Sequence, residues 1–380
     1  MRNSRRSAVD PFIVMDVMEA ARKAEASGRH IIHMEVGQPG TPAPAVARAA
    51  VAAAMDEDAL GYTVALGLPE LRARIARLYA DWYGVDLDPG RVIVTAGSSG
   101  AFILAFTALF DSGDRVGIGA PGYPSYRQIL RALDLTPVMI ETAPENRLQP
   151  VPTDLPGDLA GLMVASPANP TGTMLDRPAL AGLIEAAAAR GASFISDEIY
   201  HGIEYERKAV TALEISDDVY VINSFSKYFS MTGWRVGWMV VPGDHVRVIE
   251  RLAQNMFICP PHVSQRAALA ALDSEDELRA NMVVYAENRR LMLEGLPEAG
   301  FTNIAPPDGA FYVYADVSDL TSDSRAFAAE ILDGAGVAVT PGLDFDTARG
   351  AGTLRLSYAR SPEDIREGLA RLKDFMATRG

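Results

Sequence analysis

Short apolar runs that alternate with helix-spaced stretches constrain this chain more than any other feature. Arg91–Thr95, Arg115–Gly119, Gly161–Ser166, Ser193–Asp197 and Val219–Ile222 are strand-length and largely apolar. Between them lie segments such as Ala179–Arg190, with apolar residues at helical spacing and Gly191 as a stop. A strand without polar alternation has both faces covered, and strands joined through helices run parallel. The pattern predicts a doubly wound α/β layer structure over residues 45–272. Each run also opens onto small or polar residues, so chemistry should gather at the carboxyl ends of the strands.

The rest of the chain reads as a second, smaller unit. Val14–Ala26 has helical spacing, Gly28 ends it, and Ile31–Val36 follows as a strand. Short strands are predicted at Gly309–Tyr314, Val337–Thr340 and Thr353–Tyr358. Residues 1–44 are expected to pack with 273–380 against the larger unit, a division of ordinary size for 380 residues. Helices are expected at Ala45–Met55, Glu70–Tyr83 and Phe102–Phe110, and across much of 244–287.

A formal charge of −14 argues against nucleic acid or an anionic membrane as a general partner. Cys259 is the single cysteine, which suits a reducing cytoplasm, the expected location. No run approaches the ~18 apolar residues that span a bilayer. The five histidines are scattered at spacings that suit no metal, so none is expected.

The densest chemistry follows the run Val219–Ile222, at Asn223-Ser224-Phe225-Ser226-Lys227, with Arg235 eight residues further on. Two hydroxyls and a guanidinium around one lysine suit a phosphate-bearing electrophile, which the amine can capture as a Schiff base. Ser98, Ser99 and Gly100 lie between a strand and a helix, where free backbone N–H groups and the helix dipole attract an anion. Asp197 ends an apolar strand and needs a cation as partner if buried. Tyr123, held between Gly122 and Pro124, is a restrained ring suited to stacking, although Tyr126 is an equal candidate for filling the core. Period-two alternation puts Arg355 on one strand face with Thr353 and Ser357.

Ser224-x-Ser226-Lys227, then Thr232-Gly233-Trp234-Arg235-x-Gly237, resembles the cofactor-lysine segment of the class I aminotransferases. Ser166-Pro167-x-Asn169-Pro170-Thr171-Gly172 resembles a second signature of that family, and the likeness extends from about Val36 to about Arg360. These are pyridoxal-phosphate enzymes of fold type I. The resemblance implies a mixed, mostly parallel sheet in the large domain, with a smaller α+β domain from the N-terminal segment and C-terminal third. It implies a Schiff base on Lys227 that moves an amino group from an L-amino acid to a 2-oxo acid. Catalytic roles fall to Lys227, Asp197 at the ring nitrogen, and Tyr200 beside Asn169 at the phenolic oxygen. Ser98, Ser99, Gly100, Ser224, Ser226 and Arg235 would hold the phosphate, and Tyr123 would stack on the ring. Arg355 would hold the substrate α-carboxylate, with Asn169 and the backbone of Gly37 nearby. Tyr62 would reach the phosphate of the partner subunit in a homodimer.

The same pocket could serve a C–S β-lyase or a decarboxylase, which differ in the Cα bond that is broken. A non-catalytic effector module would need an added DNA-binding domain, for which the chain has neither length nor a basic region. Two positions depart from relatives. Asp346 stands where glycine is common, and Ser99 stands where some aspartate-using prokaryotic relatives carry lysine. The second departure favours neutral or aromatic donors, with 2-oxoglutarate or pyruvate as acceptor.

Overall fold

The computed structural model describes residues 1–379. Its strands in chain order are β1 Ile32–His33, β2 Val92–Thr95, β3 Arg115–Ala120, β4 Thr136–Glu141 and β5 Gly161–Ala165. Next come β6 Ser193–Asp197, β7 Tyr220–Ser224, β8 Gly237–Val240, β9 Asn303–Ile304 and β10 Tyr312–Asp316. The chain closes with β11 Val337–Ala338, β12 Thr340–Pro341 and β13 Thr353–Ser357.

Seven strands form one sheet in the order β2-β8-β7-β6-β5-β3-β4. It is mixed and mostly parallel: β8 runs antiparallel to both of its neighbours, β2 and β7. Every residue of β2, β7 and β8 is buried. Helices cover both faces, which is why these strands lack polar alternation. Val92, Val94, Val221 and Trp238 enter one core cluster, while Ile93, Ile222 and Met239 enter the cluster on the opposite face. Each such side chain contributes roughly 1.5–3 kcal/mol by leaving water.

A third core joins the chain's ends. Ile32 and Met34 pack with Phe311, Val313, Phe327, Leu356 and Leu372. Here β12-β13-β10-β9 form an antiparallel sheet, and β1 pairs in parallel with β11. Strand β13 is internal, between β12 and β10, so Arg355 does not sit on an edge.

Several boundaries differ from expectation: the strand placed at Val337–Thr340 is split into β11 and β12, which join different sheets. The helix placed at Phe102–Phe110 begins at Gly97, because the small residues Gly97-Ser98-Ser99-Gly100 form its first turn. The strand expected over Ile31–Val36 pairs only through Ile32 and His33, since its continuation bonds singly to separated partners: Met34 donates to Ala338, and Glu35 accepts from Thr340. Among the described residues no helix is long and apolar enough to cross a membrane.

Candidate active site

The parallel strands bring their carboxyl ends to one edge, and a cavity of about 530 Å³ opens there. Lys227, Asp197, Asn169, Ser98, Ser99 and Tyr123 reach it from loops and strand ends of the large sheet. Tyr200, Ser226 and Arg235 line it as well, and Gly37 and Arg355 close it from the other core. Residues far apart in sequence therefore meet in one space.

Lys227 Nζ donates to the carbonyl of Gly37 at 2.6 Å and lies 5.7 Å from the ring centre of Tyr200. Burial first, then the charges of Arg355 and Arg235, bring its pKa down to about 7, against the opposing pull of Asp197. The amine is therefore a base near neutral pH, as a nucleophile or proton carrier must be. Burial pushes Asp197 up to about 6, opposed by hydrogen bonds from the Tyr126 hydroxyl and the Ile199 N–H and by the charge of Lys227. Tyr126 is thus a member of the site that sequence reading left as a core filler. The signal that could have found it is helical: three residues after Tyr123, it shares a face with that ring.

The opposite end of the cavity suits an anion. Gly97 has φ +71, and a Cβ there would sit 2.3 Å from Arg235 Nη2, so only glycine leaves room for the guanidinium. Gly237 is also closely packed, its missing Cβ falling 2.8 Å from the Asn223 carbonyl oxygen and 3.1 Å from the Ser98 nitrogen. Ser98 and Ser99 carry free N–H groups of the helix's first turn. Gly100 does not line the cavity, and in regular helix geometry its N–H is the first to find an intrahelical acceptor, Ala96. Ser224 lies beneath the lining, where its hydroxyl donates to Ser226 Oγ at 2.7 Å and shapes the loop.

Arg355 is 2% exposed and sandwiched between rings, its guanidinium carbon 4.5 Å from the centre of Tyr312 and 4.7 Å from that of Phe345. It donates to Asn169 Oδ1 at 3.0 Å and to the carbonyl of Glu35. Its Nε and the hydroxyl of Ser357 are buried without a partner. Tyr200 and Tyr312 share a hydrogen bond of 2.7 Å between their hydroxyls. Gly37 has no room for a side chain, since a Cβ would meet the Tyr312 hydroxyl at 1.7 Å.

The remaining wall was absent from the sequence reading. Phe12, Val14, Met15 and Met18, from the N-terminal helix Ile13–Ala26 and its entry, cover the cavity with apolar side chains. Helical spacing marked Val14 and Met18 as part of a packing face, without Phe12 or Met15, and nothing local told core from cavity. Tyr62 lies outside this cavity and is 83% exposed. Asp346 is pinned: its carboxylate accepts from the Arg349 side chain at 2.8 Å, and that arginine reaches the carbonyls of Ala120 and Thr142.

The chain whose cavity joins a half-buried lysine, a buried carboxylate and an anion cradle matches a family model for aminotransferase class I and II over residues 29–372. The chain belongs to this family. It is 47% identical to valine–pyruvate aminotransferase of Mycobacterium tuberculosis, over 98% of this chain and 97% of the relative. A solved chain from Silicibacter pomeroyi is 76% identical, with a TM-score of 0.96 and all of both chains covered. An aminotransferase structure from Mycobacterium tuberculosis gives a TM-score of 0.97 at 46% identity, again over the whole of both. This aminotransferase therefore carries out transamination on the fold of its family.

Proposed function

We propose that this aminotransferase uses pyridoxal phosphate and moves the amino group of small apolar L-amino acids, such as valine, to pyruvate. The observation that carries the donor is the distribution of charge around the cavity. Its basic lining residues are Lys227, Arg235 and Arg355. Arg235 at the anion cradle and Arg355 beside Asn169 are matched to one phosphate and one α-carboxylate, which leaves no cation among the cavity's lining residues for a side-chain carboxylate. The wall of Phe12, Val14, Met15 and Met18 suits an apolar side chain instead. The identity to a valine–pyruvate aminotransferase supports the same reading.

The residues fit the cofactor. Ser98, Ser99, Ser226 and Arg235 would hold its phosphate, Tyr123 its ring face, and Asp197 the proton on its ring nitrogen. Asn169, whose Oδ1 is taken by Arg355, has its amide nitrogen left to donate to the phenolic oxygen, with Tyr200 alongside. When bound, pyridoxal phosphate supplies a carbon that captures amines and a ring that takes up an electron pair from the substrate Cα. Lys227 would hold that carbon at rest and, once displaced, accept the proton from Cα. Its lowered pKa keeps the amine neutral for this near pH 7. Arg355 would orient the donor through its carboxylate, using donors such as the unpartnered Nε.

The exposed apolar side chains Val46, Met55, Tyr62, Val64, Met256 and Ile258 support a homodimer in which Tyr62 serves the partner's phosphate site. Soluble proteins seldom leave so many large apolar groups in water on neighbouring segments.

The test is a panel of donors given to the purified enzyme first without and then with pyruvate. Valine should be consumed only with the 2-oxo acid present beyond one equivalent, and its kcat/KM should exceed that of aspartate by about 10²-fold. A preference for aspartate would overturn the donor assignment. Continuous release of pyruvate or CO₂ without an acceptor would favour the lyase or decarboxylase.

A further inference from the structure

The helix that covers the cavity has no cap of its own. Its N-cap position is Phe12, which offers no side-chain acceptor, and no local side chain makes a capping hydrogen bond, Asp16 in the first turn included. The missing acceptors come from the far end of the chain. Asp344 Oδ1 accepts from the Ile13 N–H and Oδ2 from the Val14 N–H, both at 3.1 Å, across 331 and 330 residues. The carboxylate is fully buried and burial raises its pKa, which these two N–H groups, Arg355 and Arg127 counter. A charge in that position also meets the positive end of the helix dipole.

Asp344 is itself held firmly. Arg127 donates to its carbonyl at 2.8 Å, and the next residue, Phe345, accepts from the Gly122 N–H at 3.0 Å and lays its ring on Arg355. One short segment therefore touches the loop that carries Tyr123, the carboxylate-binding arginine and the N-terminal helix. Phe12 completes the link, its ring 5.8 Å from that of Tyr123 in an edge-on arrangement. Asp344 does not line the cavity. What it fixes is where Phe12, Val14, Met15 and Met18 stand above it.

We infer that Asp344 is a positioning residue for donor selectivity, docking the N-terminal helix so that its apolar side chains form the pocket for the donor side chain. This rests on the proposed apolar-donor reading and names the device that would enforce it. Entry to the helix is braced a second time on the surface, where Asp10 accepts from Gln128 and from Arg131 at 2.8 Å. That brace is exposed and screened, so the buried carboxylate dominates.

The experiment compares wild type with Asp344→Asn and Met15→Ala, each as holoenzyme, using alanine, 2-aminobutyrate, valine and leucine as donors. In Asp344→Asn one oxygen remains, and the new NH₂ faces an N–H donor. KM for valine and leucine should rise about tenfold while kcat falls less than about twofold, with alanine least affected. Amide exchange over residues 13–18 should quicken while that of β7 stays protected. Met15→Ala, at a half-exposed position that cannot threaten folding, should reproduce the donor-size dependence without the change in exchange. Equal KM changes for all four donors, or unchanged exchange over 13–18, would overturn the inference. A wild type that prefers aspartate would instead defeat the donor reading, and the exchange result would still decide whether Asp344 docks the helix.

Discussion

The floor of the cavity comes from neighbouring strands of one sheet, while its roof is assembled from segments more than 300 residues apart. On the floor, Asp197 ends β6, and Asn169, Ser98 and Lys227 follow β5, β2 and β7, strands that all point the same way, so chain direction alone aims them at one edge. In the roof, Phe12–Met18, Gly37, Asp344 and Arg355 are brought together by pairing between β1 and β11 and between β12 and β13. The difference suggests a division of labour. On the proposed function, the floor would supply groups common to the reaction and the roof would select what reacts.

Perturbing the floor should abolish chemistry regardless of donor. Lys227→Ala is expected to lower kcat by at least about 10⁴-fold for every donor and to remove the covalent cofactor signal in the absorbance spectrum. A rate that survived would break the comparison at its strongest point. The same lysine gives a pH test in the cofactor-free protein. Its pKa is lowered from 10.5 to about 7, so the neutral amine fraction, and with it the rate of acylation at Lys227, should climb as pH rises through about 7. Arg355→Met removes one of the cations that hold that pKa down, so the climb should move to higher pH.

A smaller effect, confined to binding, is expected in the roof. Arg355→Lys keeps the charge but loses the planar pair of donors. KM for donors should rise about 10²-fold, with kcat changed much less. Equal losses in both constants would place this arginine in the chemical step and blur the division. Smallest is Gly97→Ala, on the floor's anion cradle. A methyl group would meet Arg235 Nη2 at 2.3 Å in a backbone conformation with φ +71. Stability should fall by about 1–2 kcal/mol, read as a lower Tm, and affinity for the cofactor should drop by about tenfold. An unchanged affinity would mean that the guanidinium is free to shift.

Each family motif was legible because it is local. Ser166–Gly172 and Ser224–Gly237 carry their meaning in consecutive residues, and strand direction does the rest. Gly100 lies deeper in its helix than the sequence suggests, because the first turn begins at Gly97. Tyr126 was undervalued because a buried tyrosine in a core and one donating to a buried carboxylate look alike in sequence. The resemblance implied a mixed sheet, but only the structure shows that β8 is the strand running against its neighbours, since an apolar tetrapeptide has no inherent direction.

By itself, the sequence determined the alternating layers, the carboxyl edge where chemistry gathers, and the lysine, aspartate and arginines that define the family. These are settled by periodicity and by neighbours a few residues away. Tertiary structure alone decided which helix covers the cavity and how it is capped. Ile13 and Val14 bear backbone N–H groups like any others, and their acceptor is a carboxylate 330 residues away whose partners appear only once the chain's two ends have packed on a shared core.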